Sequence, residues 1–197
     1  MQVVLASHNT KKLREMQALL APLGWTLRLV AEFTDEAADE TAPTFVENAL
    51  IKARHAALVS GLPALADDSG IEVEALRGCP GVHSARYAGE PSDDAANNAK
   101  LLDALLGLPA EQRGARFVSV LAFLRHAADP VPVIAEGHWQ GRILEAPRGV
   151  NGFGYDPLFY VPAQDCSSAE LAPELKNRLS HRAIAVERLL TRLAERA

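Results

Sequence analysis

The chain is organised around the stretch Leu65-Ala66-Asp67-Asp68-Ser69-Gly70-Ile71. A short apolar run at 62–66 leads into two adjacent carboxylates, and a second strand-like run begins after the glycine. Adjacent carboxylates repel each other unless a cation or hydrogen-bond donors lie between them, and a glycine lets the backbone turn sharply and approach a ligand. The pattern suits a hard cation such as Mg²⁺ with phosphate beside it. The alternative is a polar strand end closed by an Asx-type turn.

Composition indicates one globular domain over residues 1–197, with room for two lobes. The formal net charge of −5 argues against nucleic acid as the main partner, because binding its backbone needs a broad basic face. A small anionic ligand in a locally basic pocket remains compatible with that charge. Cys79 and Cys166 lie in no metal-ligand spacing, and no apolar run approaches the ~20 residues of a membrane span. We therefore expect a cytoplasmic protein with no membrane partner.

The N-terminal segment predicts a buried strand at 3–6, a polar turn at 7–12 and then a helix that ends near Gly24. A strand that leads through a polar turn into a helix points backbone N–H groups at one spot, where the helix dipole favours anions. The turn adds the donors and charges of Asn9, Lys11 and Lys12 but has no glycine-rich Walker sequence. The alternative is a solvated capping turn with exposed lysines.

A second helix is predicted from Thr44 to about Val59, with Thr44 at the N-cap and Glu47 three residues later as a capping box. A strand at 25–30 precedes it, so the chain begins as a β-α-β unit. Glu40 lies just before the helix and could turn into the same cleft as Asp68. The alternative for Glu40 is a surface acid near a helix N-terminus.

The middle of the chain predicts a helix capped by Ser92, followed by two long strands at 116–126 and 131–144. We expect the two strands to pair as antiparallel neighbours through the turn at Asp129. The second strand is expected to be broken at Gly137 and Gly141.

Two further stretches carry chemistry. Residues 151–157 place two glycines around Phe153 and continue into Tyr-Asp-Pro, a constrained loop able to expose backbone N–H groups and a ring face to a planar base. An ordinary β-turn with a packed Phe is the alternative. Ser180 is expected to cap the final helix, which places His181 and Arg182 in its first turn. Cations are unfavourable at that position, so an anionic or carbonyl-bearing ligand would account for them.

Four stretches stand together in this order: Ser7-His8-Asn9-Thr10-Lys11-Lys12, Ala66-Asp67-Asp68-Ser69-Gly70, Gly152-Phe153-Gly154-Tyr155-Asp156-Pro157 and Ser180-His181-Arg182. This ordered set covers nearly the whole chain and resembles the inosine/xanthosine triphosphate pyrophosphatase family. Enzymes of this family act on dITP, ITP and XTP and clean the nucleotide pool. The chain departs from the family at Lys11, where glycine is common.

The resemblance implies a role for each stretch. Glu40 and Asp68 would bind Mg²⁺, Asp68 would also be the catalytic proton acceptor, and Ser69 would contact the substrate. The triphosphate would be held by Ser7, His8, Asn9, Thr10, Lys11 and Lys12, the base pocket would be lined by Phe153, Gly154, Tyr155 and Asp156, and recognition would be completed by Lys176, His181 and Arg182. The implied fold is α/β, a long, twisted, mixed β-sheet with flanking helices and two lobes around a central nucleotide-binding cleft. The implied assembly is a homodimer.

The activity implied by the resemblance is hydrolysis of a nonstandard purine nucleoside triphosphate to the monophosphate and pyrophosphate, which keeps these bases out of DNA and RNA. Three alternatives follow from the residues. They are a metal-dependent phosphohydrolase with loose base specificity, a nucleotide sensor without catalysis, and a nucleic-acid-binding module. The negative net charge disfavours the last of these.

Overall fold

The computed structural model describes residues 1–196, and within them the strands form one mixed sheet. The strands are β1 (Gln2–Leu5), β2 (Thr26–Leu29), β3 (Ala64–Val73), β4 (Gly114–Leu124), β5 (Val133–Ile143), β6 (Phe159–Val161) and β7 (Cys166–Ser167), and their order is β2-β1-β3-β4-β5-β6-β7. Strand β1 pairs in parallel with β2 and β3, whereas β6 pairs antiparallel with β5 and β7. The prediction of an α/β fold with a mixed sheet is confirmed.

The α-helices described in residues 1–196 are α1 (Thr10–Leu19), α2 (Phe45–Ser60), α3 (Asp94–Ala104), α4 (Pro173–Leu179) and α5 (His181–Ala194). Helix α1 gives way to a short 3₁₀ turn, which ends at Gly24 in the left-handed region. Helix α2 begins at the predicted N-cap, because the hydroxyl of Thr44 accepts a hydrogen bond from the N–H of Glu47. The carboxylate of Glu47 accepts the hydroxyl of Thr44 rather than its backbone N–H, so the predicted capping box is only half formed. The β-α-β start of the chain is therefore as predicted.

Two further local predictions were wrong, and one helix was not predicted. The N-cap of α3 is Asp93, whose carboxylate accepts the N–H groups of Ala95 and Ala96, while the hydroxyl of Ser92 donates to the carbonyl of Ala85. Helix α4 was not predicted from the sequence. Strand β5 runs unbroken through both of its glycines, and at Gly141 a Cβ would lie 2.4 Å from the carbonyl oxygen of Tyr160. Glycine is therefore needed there for the close approach of the neighbouring strand rather than for a break.

The chain divides into two compact units. The first unit comprises residues 1–68, 119–137 and the segment from Arg182 onward, and the second unit comprises residues 69–118 and 138–181. The boundary between the units falls within β3, β4 and β5. The prediction of a single domain over residues 1–197 stays a prediction.

Each unit has its own apolar core. In the first unit, α1 and α5 bury Met16 and Leu189 against the strand residues Val3, Leu65 and Leu121. In the second unit the core is rich in aromatic residues, and its larger members are Leu101, Leu105, Phe117, Trp139, Ile143, Leu158 and Phe159. The apolar residues of β1, β3 and β4 form the runs that predicted buried strands. Across residues 1–196, every helix is too short or too polar to span a bilayer.

Candidate active site

The N-terminal turn is built around Asn9, which caps α1. Its side-chain oxygen accepts the N–H groups of Lys11 and Lys12 at 2.9 and 3.1 Å, and the hydroxyl of Ser7 accepts the N–H of Asn9 at 3.1 Å. Two of the N–H groups expected to meet an anion are thus already engaged within the turn. Lys11 is exposed and has an ordinary helical backbone, so the glycine common at this position is not required by backbone conformation.

A cavity of about 160 Å³ in the first unit brings several predicted residues together. It is lined by Ala6, Ser7, His8, Lys12, Val30, Ala37, Ala38, Glu40, Lys52 and His55. The predicted phosphate residues Ser7, His8 and Lys12 therefore lie beside the predicted metal ligand Glu40. Asn9, Thr10 and Lys11 are not among the lining residues and have exposed positions at the start of α1.

Asp67 is the centre of the buried polar network in the first unit and is only 1% exposed. One carboxylate oxygen, Oδ2, lies 3.0 Å from both Lys12 Nζ and Arg182 Nε, and the other accepts the hydroxyl of Ser119 at 2.7 Å. Arg182 also contacts Glu15, with 3.1 Å between Nη1 and Oε2. Asp67 thereby fixes two cations that come from opposite ends of the chain.

Asp68 points into a different set of contacts. Its Oδ1 lies 2.5 Å from Lys52 Nζ, and the same ammonium lies 3.2 Å from Glu40 Oε2. Within the part of the chain that the structure describes, the buried Oδ2 of Asp68 has no hydrogen-bond partner. The structure therefore places both predicted metal ligands around one lysine and leaves one buried carboxylate oxygen of Asp68 able to accept a proton or a cation.

Burial and neighbouring charge shift the pKa values of this group. Burial raises the pKa of the Asp68 carboxyl, and the charge of Lys52 opposes that shift without cancelling it. For Lys52, burial lowers the pKa of the ammonium, but Asp68 and Glu40 more than offset this, so the pKa lies above its ordinary value. Burial also lowers the pKa of Lys12 against the attraction of Asp67. Asp68 is thus a stronger base than an exposed aspartate.

The residues present fit a hard divalent cation only in part. Glu40 and Asp68 offer carboxylate oxygens, the donors that Mg²⁺ prefers, and Oδ2 of Asp68 is the orphaned buried atom such an ion would satisfy. Residues 1–196 hold no group of three or more His, Cys, Asp or Glu side chains with the spacing of a metal site. Mg²⁺ keeps several waters and takes ligands from substrate phosphates, so two protein carboxylates suffice when a polyphosphate is bound.

In the second unit, the glycine loop (residues 152–156) is shaped by Asp156, which is 3% exposed. Its Oδ2 accepts the N–H of Phe153 at 2.9 Å and lies 2.5 Å from Lys176 Nζ, while Oδ1 accepts the hydroxyl of Ser168 at 2.8 Å. Lys176 Nζ lies 5.5 Å from the centroid of the Phe153 ring, within the range of a cation–π interaction. The predicted base-pocket residues Phe153 and Asp156 and the predicted recognition residue Lys176 are therefore in mutual contact.

The rest of the glycine loop is held from two further elements. The N–H of Gly154 donates to Asp94 Oδ2 at 2.8 Å, its carbonyl accepts Asn98 Nδ2 at 2.9 Å, and the hydroxyl of Tyr155 donates to the carbonyl of Ser84 at 2.8 Å. Burial raises the pKa of the Tyr155 phenol, which keeps it protonated as a donor. The N–H groups of Phe153 and Gly154 are thus already engaged, contrary to the expectation that the loop presents them to a base.

Two glycines of the loop differ in their surroundings. At Gly152, with φ +76°, a Cβ would lie 2.0 Å from Asp156 Oδ2. At Gly154, with φ +62°, a Cβ would meet nothing within 4 Å. Volume and conformation both require glycine at the first position, whereas conformation alone favours it at the second.

The adjacent residues His181 and Arg182 have separate environments. His181 is 3% exposed, and its ring stacks on Phe117 in the second unit with centroids 4.8 Å apart. Arg182 belongs to the network of Asp67 in the first unit. Asp67 and Glu15 therefore offset the positive charge of Arg182, for which the sequence had led us to expect a ligand. Ser69 lies half-buried in β3.

Sequence reasoning quoted Asp67 as half of the acid pair but gave it no role of its own. It assigned no role to several further residues of these networks: Glu15, Lys52, Asp94, Asn98 and Ser119. A signal existed for Lys52, because it lies four residues after the buried Asn48 on one face of α2 and shares that face with His55. For the others, the contacts join residues too distant in sequence for any spacing rule.

Comparison with known proteins places this geometry in one family. A sequence model of the Ham1 family matches residues 3–192. The dITP/XTP pyrophosphatase of Pseudomonas aeruginosa is 60% identical over 192 residues, which cover 98% of this chain and 96% of that protein. The dITP/XTP pyrophosphatase of Vibrio cholerae is 52% identical over 194 residues, with 98% and 97% covered.

Solved structures agree with the sequence comparisons. A HAM1 protein from Coxiella burnetii superposes with a TM-score of 0.90 at 50% identity over 99% of both chains. The Ham1 protein of Staphylococcus aureus superposes with a TM-score of 0.87 at 38% identity over the whole of both chains. These matches confirm the resemblance drawn from the four ordered motifs. The chain belongs to the Ham1 family.

Proposed function

We propose that this protein is a nucleoside-triphosphate pyrophosphatase that hydrolyses dITP, ITP and XTP to the monophosphate and pyrophosphate, and so removes nonstandard purine nucleotides from the pool. The observation that carries the proposal is the pair Asp67 and Asp68 on β3. Asp67 fixes two cations, whereas Asp68 has a buried oxygen without a hydrogen-bond partner among the described residues. The names of the relatives at 52–60% identity support the same activity.

The phosphate chain is assigned to the first unit. Lys12 and Lys52 line its cavity, and two ammonium groups held by carboxylates in fixed positions can stabilise charge that develops on phosphate oxygens. Ser7 and His8 line the same cavity, and Asn9, Thr10 and Lys11 complete the turn at the start of α1. Each ammonium group is paired with a carboxylate, so the further positive charge that a polyanion requires would come from Mg²⁺.

Asp68 acts as the general base in this proposal. It accepts a proton from a water molecule whose oxygen attacks the α-phosphorus, and the bond from that phosphorus to the leaving pyrophosphate breaks. A carboxyl whose pKa is raised by burial is better suited to this proton transfer than an exposed one. Glu40 and Asp68 would hold Mg²⁺, which when bound neutralises phosphate charge. Lys52 keeps the two carboxylates close together.

The base is assigned to the glycine loop and its neighbours. Phe153 supplies a ring face for stacking, and Gly154, Tyr155 and Asp156 fix the backbone around it. Lys176 and His181 complete recognition of the base in this proposal, and Ser69 contacts the substrate. Arg182 acts with Lys12 on the phosphates, since Asp67 holds both cations. Because the N–H groups of Phe153 and Gly154 are engaged, side-chain donors rather than these N–H groups must read the purine 6-oxo group.

The deciding experiment measures pyrophosphate release from ITP, XTP, GTP and ATP, each with and without Mg²⁺. We expect kcat/KM for ITP and XTP to exceed that for ATP by more than tenfold, because a site built on donors leaves the adenine amino group unpaired. Equal turnover of all four would favour a loosely specific phosphohydrolase, and binding without pyrophosphate release would favour a sensor. Activity that persists in a chelator would contradict the magnesium assignment.

The proposal also includes a cytoplasmic homodimer. Light scattering of the purified protein at micromolar concentration tests the assembly, and the expected mass is twice that of the 21.2 kDa chain. A single-chain mass over the whole concentration range would contradict the dimer.

A further inference from the structure

Helix α3 makes two hydrogen bonds to one residue of the glycine loop, through the side chains of Asp94 and Asn98. Asp94 Oδ2 accepts the N–H of Gly154 at 2.8 Å, and Asn98 Nδ2 donates to the carbonyl of the same residue at 2.9 Å. The two side chains are four residues apart and therefore lie one above the other on the same helix face. Together they hold both polar groups of one residue, as a neighbouring strand would.

Gly154 is the part of the loop that most needs such support. Its backbone is left-handed at φ +62°, and no atom outside its chain neighbours lies within 4 Å of where its Cβ would be. No neighbouring atom packs against the Cβ side of Gly154, and the hydrogen bonds to α3 hold its backbone. On either side, Phe153 and Asp156 are already joined by the carboxylate of Asp156, and Tyr155 is tied to Ser84.

The contacts of the Asn98 side chain are not those expected of a residue that only stabilises the fold. Its Oδ1 is buried and has no hydrogen-bond partner within residues 1–196. Leaving a buried acceptor without a partner lowers the free energy of unfolding. The Asn98 amide therefore reduces stability at its oxygen, while its N–H group supplies a hydrogen bond to Gly154. The helix itself does not need Asn98, because its N-cap is Asp93.

We propose that Asp94 and Asn98 are positioning residues that fix the Gly154 peptide and thereby set the base selectivity of the glycine loop. This inference rests on the proposed function, in which that loop contacts the purine. Neither side chain needs to touch the substrate. A loop that is displaced by about 1 Å can cost as much as 10²-fold in rate, so two hydrogen bonds at its centre can control selectivity.

The test compares Asp94→Ala, Asn98→Ala and the double variant with Asp103→Ala, an exposed carboxylate at the other end of α3. We expect the ratio of kcat/KM for ITP to that for GTP to fall by roughly threefold to tenfold per lost hydrogen bond, and further in the double variant. Asp103→Ala should keep the wild-type ratio. Amide hydrogen exchange at residues 152–156 should accelerate at least tenfold in the double variant and stay unchanged in the control.

Two isosteric variants separate hydrogen bonding from packing. Asp94→Asn keeps an acceptor for the Gly154 N–H and should retain the ratio, whereas Asn98→Asp has the same size but cannot donate and should lose it as Asn98→Ala does. If the wild type favours ITP while the double variant keeps that ratio within twofold, the inference is overturned and the proposed function stands. If the wild type turns over ITP and GTP equally, the proposed function fails and the selectivity role fails with it.

Discussion

Asp67 in the first unit and Asp156 in the second are both buried carboxylates with a lysine and a serine hydroxyl as partners, yet they do different work. Asp67 joins Lys12 and Arg182 to one oxygen and so fixes two side-chain cations. Oδ2 of Asp156 contacts one cation, Lys176, and accepts a second hydrogen bond from the N–H of Phe153. One carboxylate orients charges, and the other shapes a backbone.

This difference separates two kinds of failure. Loss of the carboxylate at Asp67 would misplace charges that act on phosphate, which every nucleoside triphosphate carries. Loss of the carboxylate at Asp156 would release a loop that, in our proposal, distinguishes one base from another. The four predictions below test this separation, in order of decreasing effect.

The largest effect is expected at Asp68, the neighbour of Asp67 that has one buried oxygen without a partner. Asp68→Asn should lower kcat by ~10²–10⁴-fold, the usual contribution of a general base. Its melting temperature should fall only slightly, because Lys52 keeps Glu40 as a carboxylate partner and the repulsion between Asp68 and Asp67 is removed. Pyrophosphate release and thermal unfolding measure the two effects. The base assignment fails if the variant keeps more than about a tenth of the wild-type kcat.

The second prediction compares Asp67→Asn with Asp156→Asn. Each change leaves a buried cation underpaired, so each should reduce the free energy of unfolding by about 3 kcal/mol. Asp67→Asn should lower kcat/KM for ITP, XTP and GTP by one common factor, whereas Asp156→Asn should change the ratios among them. Urea unfolding and steady-state kinetics measure the two quantities. A common factor for both variants would break the distinction drawn above.

The third prediction concerns Lys12, a cation that Asp67 fixes and that lines the cavity. Lys12→Ala should weaken binding of a nonhydrolysable ITP analogue by roughly tenfold or more, and binding of IMP much less, because a charged hydrogen bond to phosphate is worth ~1.5–3 kcal/mol. Titration calorimetry measures both affinities. Arg14→Ala is the matched control, since Arg14 is an exposed cation of the same helix and is absent from the cavity lining. Equal losses for both ligands would exclude a role at the β- or γ-phosphate.

The smallest effect is expected at Asp129, a third buried carboxylate that belongs to neither network. The side chain of Arg125 and the N–H groups of Arg125 and Val131 hold the pKa of Asp129 well below its usual value. A carboxyl whose pKa is depressed on folding contributes stability above its unfolded pKa of ~3.9, and that contribution is lost as the pH falls through the folded value.

Asp129→Asn should therefore cost about 2 kcal/mol of unfolding free energy at pH 7, and the difference from wild type should shrink below pH ~4. Urea unfolding at pH 7, 5 and 3.5 checks both statements. Turnover of ITP should not change, which makes this variant the stability control for Asp67 and Asp156. A difference that stays constant down to pH 3.5 would contradict the assigned cause.

The sequence predicted elements well wherever the determinants are local. The N-cap at Thr44 and the β-α-β start depend on residues a few positions apart, and both are present. Helix α4 was missed because it has only seven residues, begins at a proline and carries polar residues that read as a loop. The predicted break in β5 failed because the requirement for Gly141 comes from the neighbouring strand β6.

The candidate site shows the same division. Half of the predicted site residues line the cavity of the first unit or lie in the glycine loop, but the sequence could not reveal which protein groups they contact. The partners of Asp67 lie 55 residues before it, 52 after it and 115 after it. The sequence analysis expected the N–H groups of Phe153 and Gly154 to be available to a base. In the structure they donate to the carboxylates of Asp156 and Asp94 instead.

The two glycines of the loop, finally, should differ in the substitutions that they tolerate. Position 154 should accept Asn, and Asp with it, at the ~1 kcal/mol that a left-handed backbone costs, because the space around it is open. Position 152 should accept nothing larger than hydrogen unless Asp156 moves. A side chain at position 152 would displace Asp156 and, through it, the two residues that Asp156 contacts, Lys176 and Ser168. A side chain at position 154 would strain only the backbone of that residue.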